Sequence, residues 1–473
     1  MNFRKSLAWS FGQETVTFVL QFIGSIIMAR LLTPAEFGVF ALAMAASYLL
    51  SSFRNFGIGS YLIREKELTA DKIATAFTLW ICLSWSLGLM VLLARGPIAA
   101  AYGEPGIADV LLVLSGSFFI TPLGQPTNSL LMREMRFDLL HHINLLSTLC
   151  GLGTSIGLAM HGHSYMSMAW GLLVDTLVRA LALLWIKRRQ VSLRLSLAHW
   201  REVMQFGGYL TAASFLGELN QHGIKFIVGA LINPTAVALL ERAVQIPNLV
   251  RQTIFRPLGP VLFPKFAEDI RQGRSIGPAV EKVVAFTSVL VIPTFLVIAL
   301  CAESIVVLLF GDNWRVAGEL LPWFLLSNAI LTLLPQPHQI LVPHGQVKRL
   351  FKLSSLGVLN NIILTAIGAW YGLEVFAMTR PVETIIFIIL SFFAIRQFWG
   401  CNLDRLIPLY LKAMLLAFFC AIPALIAVYY YGPNLNWTVL SSIAACSTLF
   451  WLVGIFVLKH PLCIELKLIF KKL

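Results

Sequence analysis

Long apolar runs separated by short polar connections occupy most of the chain between residues 7 and 458. Each run holds about 20 residues, the length that a helix needs to cross the hydrocarbon core of a bilayer. The runs are continuously apolar and do not alternate as the strands of a membrane β-barrel do. The pattern predicts an all-α polytopic membrane protein of about 14 transmembrane helices. The predicted spans are 7–31, 38–62, 73–94, 107–131, 142–160, 165–186, 206–231, 236–262, 283–301, 318–342, 353–371, 375–396, 407–430 and 437–458.

The lysine and arginine residues are sorted between alternate connections. Twenty-six of the 36 lie in the termini and connections of one side, and seven lie inside the spans. Only Arg30, Arg95 and Arg315 belong to the other side. Because short loops rich in Lys and Arg stay in the cytoplasm during insertion, we predict that both termini are cytoplasmic and that the external loops are short.

The longest internal basic stretch, residues 187–202, follows the sixth predicted span. It divides the chain into an N-terminal six-helix bundle (1–190), a C-terminal six-helix bundle (191–400), and two additional helices with a cytoplasmic tail (401–473). Each bundle contains an even number of spans, so both enter the membrane from the same side. We therefore predict two pseudo-symmetric bundles, a parallel-repeat arrangement that occurs in transporters and places the substrate path between the repeats.

Two short internal similarities support this division. LLTPAEFG at 31–38 aligns with LINPTAVA at 231–238, in the turn that follows the first helix of each bundle. GQPTNSLL at 124–131 aligns with PQPHQILV at 335–342, which places a Gln-Pro pair at the same depth of the fourth helix in each bundle. The agreement of both matches with the position of the basic loop favours an internal duplication.

Proline and glycine residues inside the spans predict local helix geometry. Pro126, Pro335 and Pro337 lie in apolar spans, where a proline frees a carbonyl and bends the helix. We expect fixed kinks or hinges at these positions. Gly153 and Gly157 form a small-xxx-small pair, which predicts a close contact between helices.

The composition excludes several classes of protein. Hydrophobic residues make up 58% of the chain and charged residues 12%, against about 25% charged in soluble proteins. The net charge of +13 does not indicate nucleic acid, because the basic residues lie on the side that faces anionic lipid. No metal or cofactor is predicted, since the seven cysteines show no ligand spacing. ATP hydrolysis is not expected either, because no phosphate-binding loop motif is present.

Charged residues inside the spans are the candidate functional groups. Each costs roughly 2.5–3.5 kcal/mol at the bilayer centre, so it should face protein or water rather than lipid. Seven are cations and five are acids. The cations are Arg54, Arg179, Lys225, Arg242, Arg251, Arg256 and Arg380, and the acids are Glu14, Asp175, Glu218, Glu241 and Glu383.

The spacing suggests partners for some of these charges. Asp175 and Arg179 are one helical turn apart and should pair, while Glu218, His222 and Lys225 form one polar stripe on the seventh helix. Such pairs either staple helices together or face a transport path. Arg242 and Arg380 lie near external ends and Arg256 near an internal end, where a long side chain reaches the interface at lower cost.

Arg54 and Arg251 have no acid nearby in the sequence, so each should either face an anionic ligand or pair across helices. Arginine suits an anion because its planar fork grips phosphate oxygens in pairs. We predict a cationic substrate-binding cavity and a second set of residues for coupling or gating. The cavity residues are Arg54, Arg179, Lys225, Arg251 and Arg256, and the coupling residues are Glu14, Asp175, Glu218 and His222.

Several segments resemble the polysaccharide-transporter family of oligosaccharide-lipid flippases, within the multidrug/oligosaccharidyl-lipid/polysaccharide exporter superfamily. They are ARLLTPAEFGVFALA at 29–43, GIGSYLIREKELT at 57–69, LLMREMRF at 130–137, and ERAVQIPN leading to VLFPKF across 241–266. The last third of the chain resembles the family only in hydropathy. Arg54 departs from the family pattern, in which an acidic or small residue more often precedes the glycine.

The resemblance implies a flippase for lipopolysaccharide or exopolysaccharide biosynthesis in the bacterial cytoplasmic (inner) membrane. Its substrate would be a polyprenyl-diphosphate-linked oligosaccharide, moved from the inner to the outer leaflet by alternating access between the two bundles. Expected partners are that substrate, membrane lipids, and the polysaccharide polymerase and glycosyltransferases of the pathway, but no nucleic acid. No catalytic residue is expected, because the chain would not be an enzyme.

Two other functions remain open at this point. One is a multidrug exporter of the same superfamily, but exporters of cationic drugs need acidic cavities, whereas cations outnumber acids by 7 to 5 within these spans. The other is an integral membrane glycosyltransferase or polymerase. Such an enzyme would need a large external domain with acids or histidines, and the external connections here are short.

Overall fold

The computed structural model of the chain describes residues 3–186, 194–255, 259–400 and 403–458. Within these ranges the chain folds into helices joined by short connections, and none of the described residues lies in a strand. Contacts between residues divide the chain into two units, Met1–Ala238 and Leu239–Leu473, which we call unit 1 and unit 2. The predicted bundles, 1–190 and 191–400, follow the internal sequence similarity rather than these contacts, and that division stays a prediction.

Unit 1 contains eight helices. Helices α4, α5 and α7 pack side by side, α6 packs on α7, and α2 packs against both α5 and α8. The helices are α1 (Phe3–Leu31), α2 (Pro34–Asn55), α3 (Ile58–Arg64), α4 (Ala70–Tyr102), α5 (Gly106–Arg133), α6 (Phe137–Met160), α7 (Met166–Ile186) and α8 (Trp200–Leu231).

Unit 2 begins within a helix, since α9 starts in the last residues of unit 1. Helix α11 packs on α13 and α17, α16 packs on α13 and α15, and α18 packs on α17. A 3₁₀ turn at Asp312–Trp314 precedes α13. The helices are α9 (Pro234–Phe255), α10 (Gly259–Arg271), α11 (Gly277–Leu300), α12 (Ala302–Phe310), α13 (Arg315–Leu331), α14 (Pro337–Leu341), α15 (Val347–Trp370), α16 (Leu373–Ile395), α17 (Leu403–Tyr431) and α18 (Trp437–Val457).

Ten helices of the described chain contain a segment long and apolar enough to cross a membrane, which confirms a multi-pass helical membrane protein. Val16–Leu31 adds a shorter apolar helix. The prediction of fourteen spans stays a prediction. The ten segments are Pro34–Ser51, Ala70–Tyr102, Gly106–Arg133, Phe137–Met160, Met166–Ile186, Gly277–Leu300, Val347–Trp370, Leu373–Ile395, Asp404–Tyr431 and Trp437–Val457.

Two spans that the sequence predicts as continuous are interrupted. The span at 38–62 divides between α2 and α3, where Phe56 and Gly57 adopt the left-handed conformation with φ of 30° and 62°. A helix cannot continue through two such residues, and Gly57 adopts this conformation at little cost because it has no Cβ. The predicted span therefore consists of two helices, α2 and the seven-residue α3.

The second interrupted span, 318–342, divides between α13 and α14. Pro335 and Pro337 lie at this break, and a proline disfavours the helical conformation of the residue before it. Pro126, which aligns with Pro337, lies inside the continuous helix α5, as does Pro122. The two segments that the predicted repeat aligns therefore differ, one being continuous and the other broken.

Helices α6 and α7 approach each other closely where glycine removes a side chain. A Cβ atom on Gly151 would lie 2.9 Å from the carbonyl oxygen of Gly171, and a Cβ on Gly171 would overlap Ser155. The predicted small-xxx-small contact at Gly153 and Gly157 is wrong, because a Cβ on either residue would meet no atom within 4 Å. The close contact uses the neighbouring helix face.

The segment that leads into α8 is fastened to α3 and α4. The Tyr61 hydroxyl donates to Glu202 at 3.1 Å, and the backbone N–H of Ser196 donates to the Thr78 hydroxyl at 2.9 Å. These bonds join residues more than 100 positions apart in the chain. They explain why α8, predicted as the first helix of the second bundle, belongs to unit 1 by its contacts.

The turn after α10 in unit 2 is held by one carboxylate. Asp269 accepts hydrogen bonds from Lys265 at 3.1 Å and from Arg274 at 2.7 and 2.9 Å. The Arg274 guanidinium and the Lys265 ammonium hold the pKa of Asp269 below its usual range. This ion-paired turn lies at the end of the unit that the sequence predicts to be cytoplasmic.

Candidate functional site

Unit 1 contains a cavity of about 350 Å³ between helices α2, α5 and α7, which we call the unit 1 cavity. Apolar residues such as Leu114 and Leu172 contribute to its wall, but most of the lining side chains are polar. This is unusual for the inside of a membrane-spanning bundle, where polar groups need partners or water. The polar lining residues are Ser47, Tyr48, Ser51, Arg54, Ser117, Thr121, Gln125, Asn128, Asp175, Thr176 and Arg179.

Arg54 brings an uncompensated positive charge to this cavity. It lies in the last turn of α2, and its Cζ atom is 5.4 Å from the centroid of the buried Phe118 ring. Its Nε atom is buried without a hydrogen-bond partner, and Arg54 forms no ion pair with any side chain that the structure describes. A buried charge of this kind is stabilised by an opposite charge, which an anionic ligand can supply.

Asp175 and Arg179 form the predicted pair on α7. The Arg179 guanidinium lies 3.4 Å from the Asp175 carboxylate, and both residues line the unit 1 cavity. The Arg179 side chain keeps 44% exposure, so solvent screens the pair and its contribution to stability is small. The main contribution of the pair is to supply hydrogen-bond donors and acceptors at the cavity wall.

The polar stripe on α8 reaches the same cavity through an aromatic contact. The Nε2 atom of His222 lies 3.3 Å from the Glu218 carboxylate. The His222 imidazole stacks on the ring of Tyr48, with centroids 4.7 Å apart and planes inclined by 15°. Because Tyr48 lines the cavity, Glu218 and His222 stand directly behind its wall, while Lys225 is half-buried on the same helix and is not a lining residue.

Unit 2 contains a second cavity of about 310 Å³, the unit 2 cavity, which is lined by residues of α9, α13, α14, α15 and α16. Arg251 is the arginine of this lining, and its Nε atom is buried without a hydrogen-bond partner among the described residues. The hydroxyl of Ser391 is likewise buried and unpartnered within the described chain. The other polar lining residues are Asn328, Thr332, Gln336, His338 and Ser354.

Several residues that line the two cavities are at positions that the predicted internal repeat aligns. Each has an arginine near the end of the second helix of its bundle, Arg54 or Arg251. Three further lining positions of the fourth helix are each separated by 211 residues, which is the offset that aligns the two Gln-Pro pairs. These pairs of positions are Ser117 and Asn328, Thr121 and Thr332, and Gln125 and Gln336.

The structure therefore brings together part of the predicted site. Arg54, Asp175 and Arg179 share the unit 1 cavity, and Arg251 lines the unit 2 cavity. Arg256 lies outside the described residues, and for Glu14 the structure describes the backbone but not the side chain. The assignment of all five cations to one substrate site stays a prediction.

Two other cations of the spans have local partners and are buried more deeply than we expected. Arg380 is 4% exposed and donates to Asn361 at 3.0 Å and to Thr365 at 3.1 Å. Arg242 is 3% exposed, donates to Gln245 at 2.7 Å, and lies over two aromatic rings of unit 2. The expectation that these side chains reach the interface is wrong, because neutral oxygens and aromatic faces hold them inside the unit.

The predicted site residues do not include the hydroxyl and amide residues of the unit 1 cavity. A signal for them exists, since the lining residues recur three or four positions apart on each helix and so form one stripe. On α2 the stripe includes Ser47, Ser51 and Arg54. The prediction rests on charged residues, whereas uncharged polar residues at the same spacing complete the lining of the cavity.

The helices and the membrane-spanning segments together define a multi-pass helical membrane protein. A family model described as polysaccharide biosynthesis protein matches residues 27–319, which is more than half of the chain. The chain belongs to this family, and the predicted resemblance is confirmed. The family also bears out the expectation that the chain is not an enzyme.

Proteins of known name are similar to the chain over most of its length. The lipopolysaccharide biosynthesis protein WzxC of Escherichia coli (strain K12) is 22% identical over 97% of this chain and 94% of its own. The succinoglycan biosynthesis transport protein ExoT of Rhizobium meliloti (strain 1021) is 26% identical over 79% of this chain and 76% of its own. Both similarities extend into unit 2, beyond the first bundle.

Solved structures show the same fold. The lipid II flippase MurJ, in an inward closed conformation, superposes with a TM-score of 0.77 and covers 96% of this chain and 100% of its own, at 13% identity. A multidrug resistance MATE family transporter in an inward-facing conformation superposes with a TM-score of 0.54, covers 80% of this chain and 95% of its own, and is 14% identical. At these identities the likeness concerns the fold alone.

Proposed function

We propose that this protein is a flippase that moves a polyprenyl-diphosphate-linked oligosaccharide from the inner to the outer leaflet of the bacterial cytoplasmic membrane. The product would serve lipopolysaccharide or exopolysaccharide biosynthesis. Membership of the polysaccharide biosynthesis family and the similarity to WzxC and ExoT support this proposal. The fold shared with the flippase MurJ is consistent with it.

The observation that carries the proposal is the unpaired Arg54 in a cavity lined by hydroxyl and amide groups. The head group of the substrate combines a diphosphate with sugars, so it needs both a cation and many hydrogen-bonding partners. An arginine fork binds phosphate oxygens in pairs. A wet, polar cavity lowers the cost of removing such a head group from water, which is the main barrier to crossing the bilayer. The lipid tail can remain in the bilayer.

The membrane potential favours this direction of transport. A diphosphate carries about two negative charges, and its outward movement across an inside-negative membrane releases roughly 4–5 kcal/mol per 100 mV. On energetic grounds no coupling ion is required. In the proposed mechanism of alternating access the bundles present the cavity first to one side of the membrane and then to the other.

Two finer features belong to the same proposal. Both termini and the basic loop at 187–202 would be cytoplasmic, as the sorting of Lys and Arg predicts. The polymerase and glycosyltransferases of the polysaccharide pathway would be the partner proteins. The substrate-binding cations would be Arg54, Arg179, Lys225, Arg251 and Arg256, with Glu14, Asp175, Glu218 and His222 as coupling or gating groups.

The charge of the unit 1 cavity separates this proposal from export of cationic drugs. Arg54 and Arg179 face a single acid, Asp175, so the lining carries a net positive charge. A net positive cavity repels an organic cation and attracts a diphosphate.

The test is translocation in reconstituted vesicles. Purified protein would be placed in liposomes that contain a fluorescent polyprenyl-diphosphate disaccharide, and a membrane-impermeant enzyme would report how much probe has crossed. We expect the wild type to expose the inner-leaflet probe and Arg54→Gln to be at least about tenfold slower. Transport of ethidium without transport of the lipid-linked disaccharide would reject the proposal in favour of a drug exporter.

A further inference from the structure

Four hydroxyl groups of the unit 1 cavity each donate to a backbone carbonyl of their own helix. Ser47 donates to the carbonyl of Ala43 at 3.1 Å, and Ser51 donates to the carbonyl of Tyr48 at 2.7 Å. Two further lining hydroxyls also donate to carbonyls of their own helices, Thr121 to Ser117 at 2.6 Å and Thr176 to Leu172 at 2.9 Å. Because each hydroxyl proton is used in this way, these side chains present lone pairs to the cavity.

This arrangement bears on the ligand of the cavity. A diphosphate has only acceptor oxygens, so four hydroxyls that offer lone pairs contribute little to binding it. A sugar carries hydroxyl donors that match these lone pairs. Its hydroxyl oxygens can in turn accept from Arg179, Gln125 and Asn128, which also line the cavity. The polar lining therefore fits a ligand with many hydroxyl groups as well as an anion at Arg54.

Tyr48 supplies the apolar surface that a sugar ring needs. Tyr48 is 43% exposed and lines the cavity. It directly follows Ser47 and lies about one turn before Ser51 on α2. A pyranose ring presents a face of C–H groups, and an aromatic ring is the side chain best suited to pack against that face. The stacked His222 imidazole covers part of the Tyr48 ring on the side of α8.

The support behind Tyr48 keeps its ring in one orientation. The His222 imidazole lies nearly parallel to the Tyr48 ring, and the Glu218 carboxylate lies 3.3 Å from His222 Nε2. An aromatic side chain that is stacked on a second ring, which itself contacts a carboxylate, has little freedom to rotate about χ1 and χ2. Tyr48 is thus preorganised on the cavity wall, and His222 acts on it as a positioning residue.

We infer that Tyr48 is the platform on which the unit 1 cavity holds a sugar ring of the ligand, with the ring plane set by the stacked His222, which itself contacts Glu218. This inference rests on the proposed function and adds the part of the substrate that unit 1 recognises. The hydroxyls of α2, α5 and α7 accept from the sugar, and Arg54 takes the anionic group. Tyr48 then determines which pyranose fits, because an axial hydroxyl on the stacking face would separate the rings.

The test uses full-length protein in nanodiscs and soluble probes. Methyl β-glucopyranoside, its galacto epimer, methyl glucuronoside and inorganic pyrophosphate would be titrated, and saturation-transfer NMR would identify the sugar protons that touch the protein. We expect Tyr48→Phe to keep pyranoside affinity within about threefold and Tyr48→Leu to weaken it at least about tenfold. Tyr429→Leu, at a tyrosine that is 84% exposed on α17, is the matched control and should change nothing.

The positioning role of His222 has its own readout. His222→Phe retains an aromatic ring behind Tyr48 and should keep affinity and the pattern of saturated protons. His222→Ala removes it and should weaken binding several-fold and spread saturation over both faces of the sugar. Pyrophosphate binding should be unchanged in Tyr48→Leu and reduced in Arg54→Gln, which separates the two parts of the site.

Unchanged pyranoside affinity in Tyr48→Leu would overturn the inference, and so would a wild type that binds pyrophosphate but none of the pyranosides. Failure of the proposed function has a different signature. In that case vesicles would show no translocation of the lipid-linked disaccharide, while the dependence of pyranoside binding on Tyr48 would persist.

Discussion

The guanidinium of Arg54 lies over the ring of Phe118, with 5.4 Å between its Cζ atom and the ring centroid. Such a contact contributes about 0.5–2 kcal/mol and leaves the edge of the guanidinium available for hydrogen bonds. Phe118 is 2% exposed and belongs to α5, so the contact joins α2 to α5 at the wall of the unit 1 cavity. An aromatic face supports the charge without neutralising it, which is the condition for binding an anion.

We predict that Arg54→Gln abolishes polysaccharide export while the protein still inserts and accumulates. Glutamine keeps hydrogen-bonding capacity but removes the charge that an anionic head group needs. Complementation of a strain that lacks the native gene measures export, and immunoblotting of membranes measures accumulation. Arg136→Gln, which alters a surface ion pair with Asp138, is the control and should retain export. Normal export by well-expressed Arg54→Gln protein would remove Arg54 from the site.

In unit 2 we expect Arg251→Ala to stop export with little loss of protein. The buried Nε atom of Arg251 has no partner among the described residues, so its removal breaks no internal hydrogen bond at that atom. The same complementation and membrane immunoblot would be used. If Arg251 instead pairs with an acid, the variant should be depleted from the membrane, and a matched loss of that acid should restore its level.

Arg380→Ala should have the opposite effect, lowering stability first. Arg380 donates to Asn361 and Thr365 inside unit 2, and truncation would leave the Thr365 oxygen without its donor and Asn361 with the Thr365 hydroxyl alone, at a cost of roughly 1–3 kcal/mol. Thermal unfolding of purified protein in detergent should show a midpoint several degrees lower than for the wild type, whereas Arg54→Gln should be nearly unchanged. Equal midpoints for Arg380→Ala and the wild type would contradict this.

The Glu218 carboxylate offers a test of coupling. If opening and closing of the cavity changes its pairing with His222, protonation of Glu218 biases which side is open. Glu218→Gln keeps the shape and removes the charge, so vesicle transport by this variant should lose its dependence on an imposed pH gradient. The membrane potential is held at zero in this measurement. A wild type that never responds to the gradient would leave Glu218 with a purely structural role.

The predicted topology is tested by chemical labelling. A cysteine placed within residues 187–202 should react only from the cytoplasm, and one at Asn434 only from outside, because 26 of the Lys and Arg residues lie on one side and three on the other. Intact cells treated with a membrane-impermeant maleimide provide the readout, with lysed cells as the control for reactivity. External labelling of the 187–202 loop would reverse the orientation.

Hydropathy and charge sorting were sufficient to predict the class of the protein, and two short similarities predict an internal repeat. Both predictions depend on properties of short segments, because a continuous apolar helix of sufficient length is stable in a bilayer whatever its neighbours. The Asp175–Arg179 pair was predictable for the same reason, because the two residues lie one turn apart on one helix. The sequence also identified Arg54 and Arg251 as cations without a nearby acid.

The tertiary structure alone decided which of these charges share a cavity and which are held inside the protein. Arg54 and Arg179 lie 125 residues apart, and only the packing of α2, α5 and α7 brings them to one wall. Arg380 has Glu383 three residues further along its own helix, yet its guanidinium donates to Asn361 on the neighbouring helix α15. Hydropathy describes how each residue interacts with lipid or water. Whether a buried charge is paired depends instead on side chains from another helix, and the fold determines which side chains those are.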